Sequence, residues 1–214
     1  IMSSSHSRRH LVLFTQHFPY ENKETFVELE LPYLAEVFDT VRIVPAHVHG
    51  ASRKLPSNVV CDDSLASISP RDLVRQGVAR ANIRSILRES KGVLGDSSDT
   101  QGFVARSRRL LRFLRAAQKV VFWFGQQNQI EVENTLFYSY WLEATPVGLA
   151  FLAQQNPSLS FVCRTHRWDL YEDSITPPGS HFETWSWSKQ KRYFLSLRTV
   201  SNISNRGTLY MEIK

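Results

Sequence analysis

Leu11-Val12-Leu13-Phe14-Thr15 and Val41-Arg42-Ile43-Val44-Pro45, with a helical pattern between them, decide the fold of this 214-residue chain. Each is a short apolar run bounded by basic or turn residues, which reads as a buried strand. A loop over 16–24 leads to Thr25, and Glu28 three residues on completes the capping-box pattern of a helix start. The helix carries Phe26, Leu29, Tyr33, Leu34, Val37 and Phe38 on one stripe of the ordinary core-facing kind. Pro32 inside it predicts a kink, because proline removes a backbone donor and crowds the carbonyl of Glu28. Strand, helix and strand in so short a span make a βαβ unit, and its two strands run parallel.

Outward from that unit, Val59–Cys61 reads as a third strand after a loop over 46–57. Two basic amphipathic helices follow, from Pro70 to about Ser90 and from Gly102 to about Val120, around a Gly/Ser/Asp loop at Gly92–Thr100. Val120–Phe124 fits either a strand or a buried helical turn. Thr135–Trp141 and Leu159–Arg164 read as strands. Between them lies a helix with Thr145 as N-cap and Pro146 as its first residue. The segment 169–187 reads as a loop or lid, 189–196 as helix, Thr199–Ile203 as strand and Asn205–Ile213 as a terminal helix. The alternation predicts an α/β fold: a doubly wound, mostly parallel, Rossmann-like sheet in a three-layer αβα arrangement. Residues 1–9 read as a tail and 10–214 as one domain. The ending, inside a helix just after a strand, suggests part of a longer enzyme.

Composition narrows the class. With 42% hydrophobic and 21% charged residues the chain is neither disordered nor fibrous. Its two cysteines, Cys61 and Cys163, lack CxxC spacing, so a disulfide framework and a structural zinc site are not expected and a reducing compartment fits. The longest apolar stretches fall far short of the ~20 residues that cross a bilayer. The first nine residues have no apolar signal region, so a cytoplasmic protein is expected. Charge is concentrated. Twelve basic and four acidic residues lie between Arg71 and Lys119, which makes that segment +8 and the remainder −2. Arg80, Arg84 and Arg88 recur every four residues, as do Arg108 and Arg112, so each row shares a helix face. Such a stripe serves an anionic membrane surface, a nucleic acid or an acidic substrate, or is simply a solvated face.

Ligands of open parallel sheets bind beyond the carboxyl ends of the strands, near the switch in strand order. Four polar clusters fall at such ends: Phe18–Thr25, Ser139–Trp141 with Glu143, Arg164–Asp169 and Ser201–Gly207. The chain has no G-x-G-x-x-G after its first strand, no phosphate-binding G-x-x-x-x-G-K-[ST] and no G-x-S-x-G nucleophile elbow. His47-x-His49 is not read as a metal pair. Cys163 has no evident base and reads as a buried apolar residue. No metal and no cofactor are expected.

Phe18-Pro19-Tyr20, Glu24-Thr25-Phe26, Glu30 and Pro32-Tyr33-Leu34 together resemble the start of bacterial glycosyltransferases that build exopolysaccharide or capsule. Tyr138-Ser139-Tyr140-Trp141 resembles their Y-S-Y-W segment, and Arg164-x-His166-x-x-Asp169-x-Tyr171 their R-x-H-x-x-D-x-Y segment. Ser204-Asn205-x-Gly207 resembles the S-N-x-G that opens the last helix of their N-terminal domain. Arg167 stands where that family often has glycine, and the glycines frequent in the first loop of related enzymes are missing. The resemblance implies one half of a GT-B fold, from a retaining, family-4-type enzyme. This chain would be the acceptor-binding domain, with the C-terminal donor domain absent and the chain alone inactive. A nucleotide-sugar would be the donor substrate, a glycan or lipid-linked molecule the acceptor, and peripheral contact with the inner membrane would fit; a nucleic-acid partner is not expected.

The resemblance also distributes roles. His166 would contact the transferred sugar, with Asp169 orienting it; a structural histidine bonded to Asp169 is the alternative. Arg164 would either steer a phosphate or anchor Asp169. Tyr20, Lys23, Glu24 and Thr25 form the loop that would approach acceptor and donor, where helix amides favour anions, although Glu24 could equally serve the helix dipole. Ser139, Tyr140 and Trp141 would line the acceptor side; the aromatic faces suit sugar rings, and equally a core. Ser204 would be an N-cap and then a ligand contact. A non-catalytic Rossmann-like binding or regulatory module is the alternative from another class.

Overall fold

β1 (His10–Thr15) sits inside the sheet because both of its edges find parallel partners: β2 (Thr40–Pro45) on one side and β4 (Thr135–Ser139) on the other. The computed structural model describes residues 9–75, 100–164, 199–203 and 209–213. In chain order β1 is followed by α1 (Thr25–Val37), β2, β3 (Val59–Cys61), α2 (Ser64–Ser67), α3 (Pro70–Arg75) and α4 (Thr100–Gly125). Then come β4, α5 (Ala144–Gln155), β5 (Ser160–Arg164), β6 (Thr199–Ile203) and β7 (Leu209–Ile213). The sheet order is β3-β2-β1-β4-β5-β7-β6. Its first five strands are parallel and follow the Rossmann order, with the switch between β1 and β4.

Side chains alternate across the sheet. Leu11, Leu13, Val41 and Ile43 face α1, packing with Val27 and Leu31. Val12, Phe14 and Val44 face α4 and α5, packing with Val120, Trp123 and Leu149. Both faces are covered, so β1 is an unbroken apolar run rather than an alternating one. The three αβα layers follow. Helices α4 and α5 cross in close contact at Gly148, where a Cβ would stand 2.6 Å from the Ala117 carbonyl oxygen.

Several expectations are corrected. Of the terminal helix expected over Asn205–Ile213, the described part, Leu209–Ile213, is instead β7, antiparallel to both β5 and β6. Leu209, Met211 and Ile213 alternate with Tyr210 and Glu212, a period of two that suits a strand. Thr25 does not cap α1. Glu24 holds the N-cap place in a left-handed conformation (φ 55°) without a side-chain cap bond, because its carboxylate is engaged elsewhere.

The core stripe of α1 also differs. Val27 and Leu31 are buried, with Leu34, Ala35 and Phe38 packed beside them, whereas Phe26, Leu29, Tyr33 and Val37 are 58–72% exposed. Apolar residues cover so much of this helix that two stripes compete, and contact with β1 and β2 selects the second. Pro32 lies on the exposed side, where water can hydrate the carbonyl it leaves unpaired. Val120–Phe124 is helical, the end of α4, with Val120 and Trp123 buried one turn apart. Glu143 replaces Thr145 at the start of α5, and Pro146 falls third in the helix, still among the first amides that lack an intrahelical acceptor. The rest of the first basic helix, most of the Gly92–Thr100 loop, the 169–187 loop and the 189–196 helix lie outside the described residues. Among the described residues no helix is long and apolar enough to cross a membrane.

Candidate functional site

The loop after β1 and the loop after β4 meet at the switch point. Three consecutive amides, those of Gln16, His17 and Phe18, donate to the Glu24 carboxylate at 3.1, 2.6 and 2.7 Å. Trp141 adds its indole N–H to the same carboxylate from the loop after β4. Glu24 is 8% exposed, so these four donors replace the water it gives up. Successive amides converging on one anion are the arrangement that elsewhere receives phosphate. Here the chain's own carboxylate fills it, in keeping with a junction that lacks the glycine-rich fingerprint. Gln16 reaches across to Glu143, a second tie over the switch point. Ser139 is buried and donates to the carbonyl of Trp141 at 2.7 Å, setting the turn that aims the indole.

A second cluster lies one strand further. Arg164, the last residue of β5, donates to Glu30 of α1 and, at 2.8 Å, to the hydroxyl of Tyr140. Its guanidinium also sits 4.9 Å from the Tyr140 ring centre. Tyr138 donates to Glu30 at 3.3 Å. Of the partners foreseen for Arg164, Asp169 lies outside the described residues; Glu30 is the one that sequence reasoning missed as a site residue. Its signal was present: Glu30 is the acidic residue inside the apolar arc of α1. Tyr140 is buried among core residues, whereas Trp141 remains half-buried.

The remaining residues are placed as follows. Tyr20 donates to Asp63 at 2.7 Å, a bond that with burial pushes its hydroxyl pKa far up. Asp63 also accepts from Cys61, whose thiol is pushed up to about 12, by burial first and then by that bond. Lys23 is exposed and 2.7 Å from Glu21, whose carboxyl it holds below its usual range. Thr25 is exposed. Arg112 is exposed on α4, which also carries Arg108. His166, Asp169, Ser204, Arg80, Arg84 and Arg88 lie outside the described residues. Cys61 and Cys163 are free thiols, and Cys163 is buried. Among the described residues no three His, Cys, Asp or Glu come together as a metal site. A cavity of about 160 Å³ opens at the other rim, by the amino ends of β1, β2 and β4, lined by His10, Thr40, Arg42 and Glu131 among others. It is remote from the switch point, so it carries no weight as the site. No family model, curated protein or solved structure matches this chain.

Proposed function

We propose that this chain is the acceptor-binding domain of a retaining, sugar-nucleotide-dependent glycosyltransferase that extends a glycan or lipid-linked acceptor in polysaccharide synthesis. One observation carries the reading. Segments that resemble this family from three separate parts of the sequence are bonded to one another at one end of the sheet. Glu24 meets Trp141 across 117 residues, and Glu30 meets Arg164 across 134. In this reading Trp141 offers its flat face to a sugar ring while Glu24 fixes its edge. Glu30 and Tyr140 hold Arg164 at the end of β5, beside the segment containing His166 and Asp169, whose roles rest on the resemblance alone. The donor nucleotide is assigned to a second domain outside this chain, and the arginine rows to an anionic membrane surface.

Acceptor titration followed by indole N–H resonances tests the assignment. Glycan or lipid-linked acceptors should move the Trp141 signal, Trp141→Ala should abolish binding, and no product should form from any nucleotide-sugar. Turnover by this chain alone, at a rate proportional to its concentration, would overturn the half-enzyme reading; no glycan binding at all would overturn the acceptor role.

A further inference from the structure

α1 is apolar on two faces. Val27 and Leu31, with Leu34 and Ala35 beside them, pack against the side chains of β1 and β2. Phe26, Leu29, Tyr33 and Val37 recur at spacings of three, four and four residues, within roughly 80° of arc at the helical repeat. The centre of that row is turned roughly 150° from the centre of the buried one. All four side chains are 58–72% exposed, and among the described residues Val60 is the one other large apolar side chain left open to this degree. Apolar side chains scattered singly over a surface are ordinary; a row of four, ~16 Å long, is not. A helix that is apolar all round belongs in an interior, and the sheet covers only the inner face of α1.

We infer that a second copy of this chain covers the row, with its own α1 packed antiparallel across a two-fold axis. The area suits that occupant. Four such side chains offer about 500 Å² on each copy, so the contact buries about 1,000 Å², the lower bound of a specific interface. The charge suits it too. α1 carries no lysine or arginine, which a helix lying on an anionic bilayer would need. At its border Glu28 is 2.9 Å from Arg53, Glu30 is paired with Arg164, and Lys23 is paired with Glu21, so these charges are neutralised within each copy. Symmetry decides the direction. An axis passing near Leu31 and Pro32 sets Phe26 against Val37 of the second copy, while Leu29 and Tyr33 fill the middle. It leaves the two Glu36 carboxylates roughly 13 Å apart along the helices, beyond the ~8 Å screening length, whereas a parallel pair would bring them side by side. The inference does not depend on the acceptor reading.

Sedimentation equilibrium over about 1 µM to 1 mM tests the contact. The chain should pass from its 24.7 kDa monomer to twice that mass within the range, and its Tm should rise with concentration. Leu29→Glu and Tyr33→Glu should each weaken association roughly a hundredfold, because a tenfold loss at one position is felt once from each copy. Both positions are exposed, so at 1 µM the two variants should melt as the parent does. Val60→Glu makes the same change of charge away from α1 and should leave association unaltered. A chain that stays monomeric to 1 mM would overturn the inference, as would dimers that persist in both α1 variants or weaken equally in Val60→Glu. A monomer that sediments with phosphatidylcholine vesicles, and loses that binding in Leu29→Glu, would assign the row to a membrane and overturn it as well.

Discussion

Glu24 ties two loops together with one side chain. Its carboxylate accepts three consecutive amides of the β1 loop and the indole of Trp141, and it is nearly buried. Removing it leaves those donors unpaired in a place water reaches poorly, the expensive outcome for a buried polar group. Glu24→Ala should therefore cost about 2–4 kcal/mol, read as a lower urea midpoint at an unchanged slope. Glu24→Gln, which keeps one carbonyl acceptor, should cost less. An Ala variant as stable as the parent would mean the loop finds other partners. The αL backbone of Glu24 adds to its burden, since a residue with a Cβ seldom adopts φ 55° without compensation. None of this is written in the local sequence. Beside Thr25, a glutamate reads as a helix-dipole carboxylate, and its real partners come from a strand end 117 residues away.

At the scale of elements, β1 to β5 were legible because each is a short apolar run closed by turn residues. The roll of α1 was not: apolar side chains cover most of its circumference, and only packing against β1 and β2 decides which of them are buried. β7 was hidden for another reason. The alternation runs over only five residues, and the Ser204-Asn205 pair upstream reads, in sequence, as a helix start. The α4–α5 crossing poses a contest of signs. Alanine at position 148 should favour the helix by ~1 kcal/mol on intrinsic propensity. Its Cβ would meet the Ala117 carbonyl at 2.6 Å and the Val120 Cβ at 2.8 Å, one of them backbone that cannot turn aside. Contact wins. Gly148→Ala should destabilise by about 1–3 kcal/mol, lowering Tm by several degrees in a thermal melt. An unchanged or higher Tm would show that the two helices can part without loss.

Across the whole molecule, α4 is longer than the sheet is deep. Twenty-six residues make a rod of ~39 Å, against ~20 Å for a six-residue strand. Its end at Gly125 leads into the turn beneath the amino end of β4, so its basic first half reaches past the carboxyl rim, where the switch point lies. On the proposed reading, the basic half of this helix would serve an anionic membrane surface. In liposome sedimentation, binding should require anionic lipid and fade as salt shortens the screening length below ~8 Å. Binding to neutral vesicles alike, or to none, would leave the arginines as a solvated face. The place of β1 has a further consequence, in time. Its partner on one side, β2, is made almost at once, but β4 is made some 120 residues later. At ~5–20 residues per second, the ribosome takes roughly 6–24 s to supply it. Throughout that interval the nascent chain carries an apolar strand with one bare edge, so the protein's need for a chaperone is greatest in those seconds, before β4 has left the ribosome.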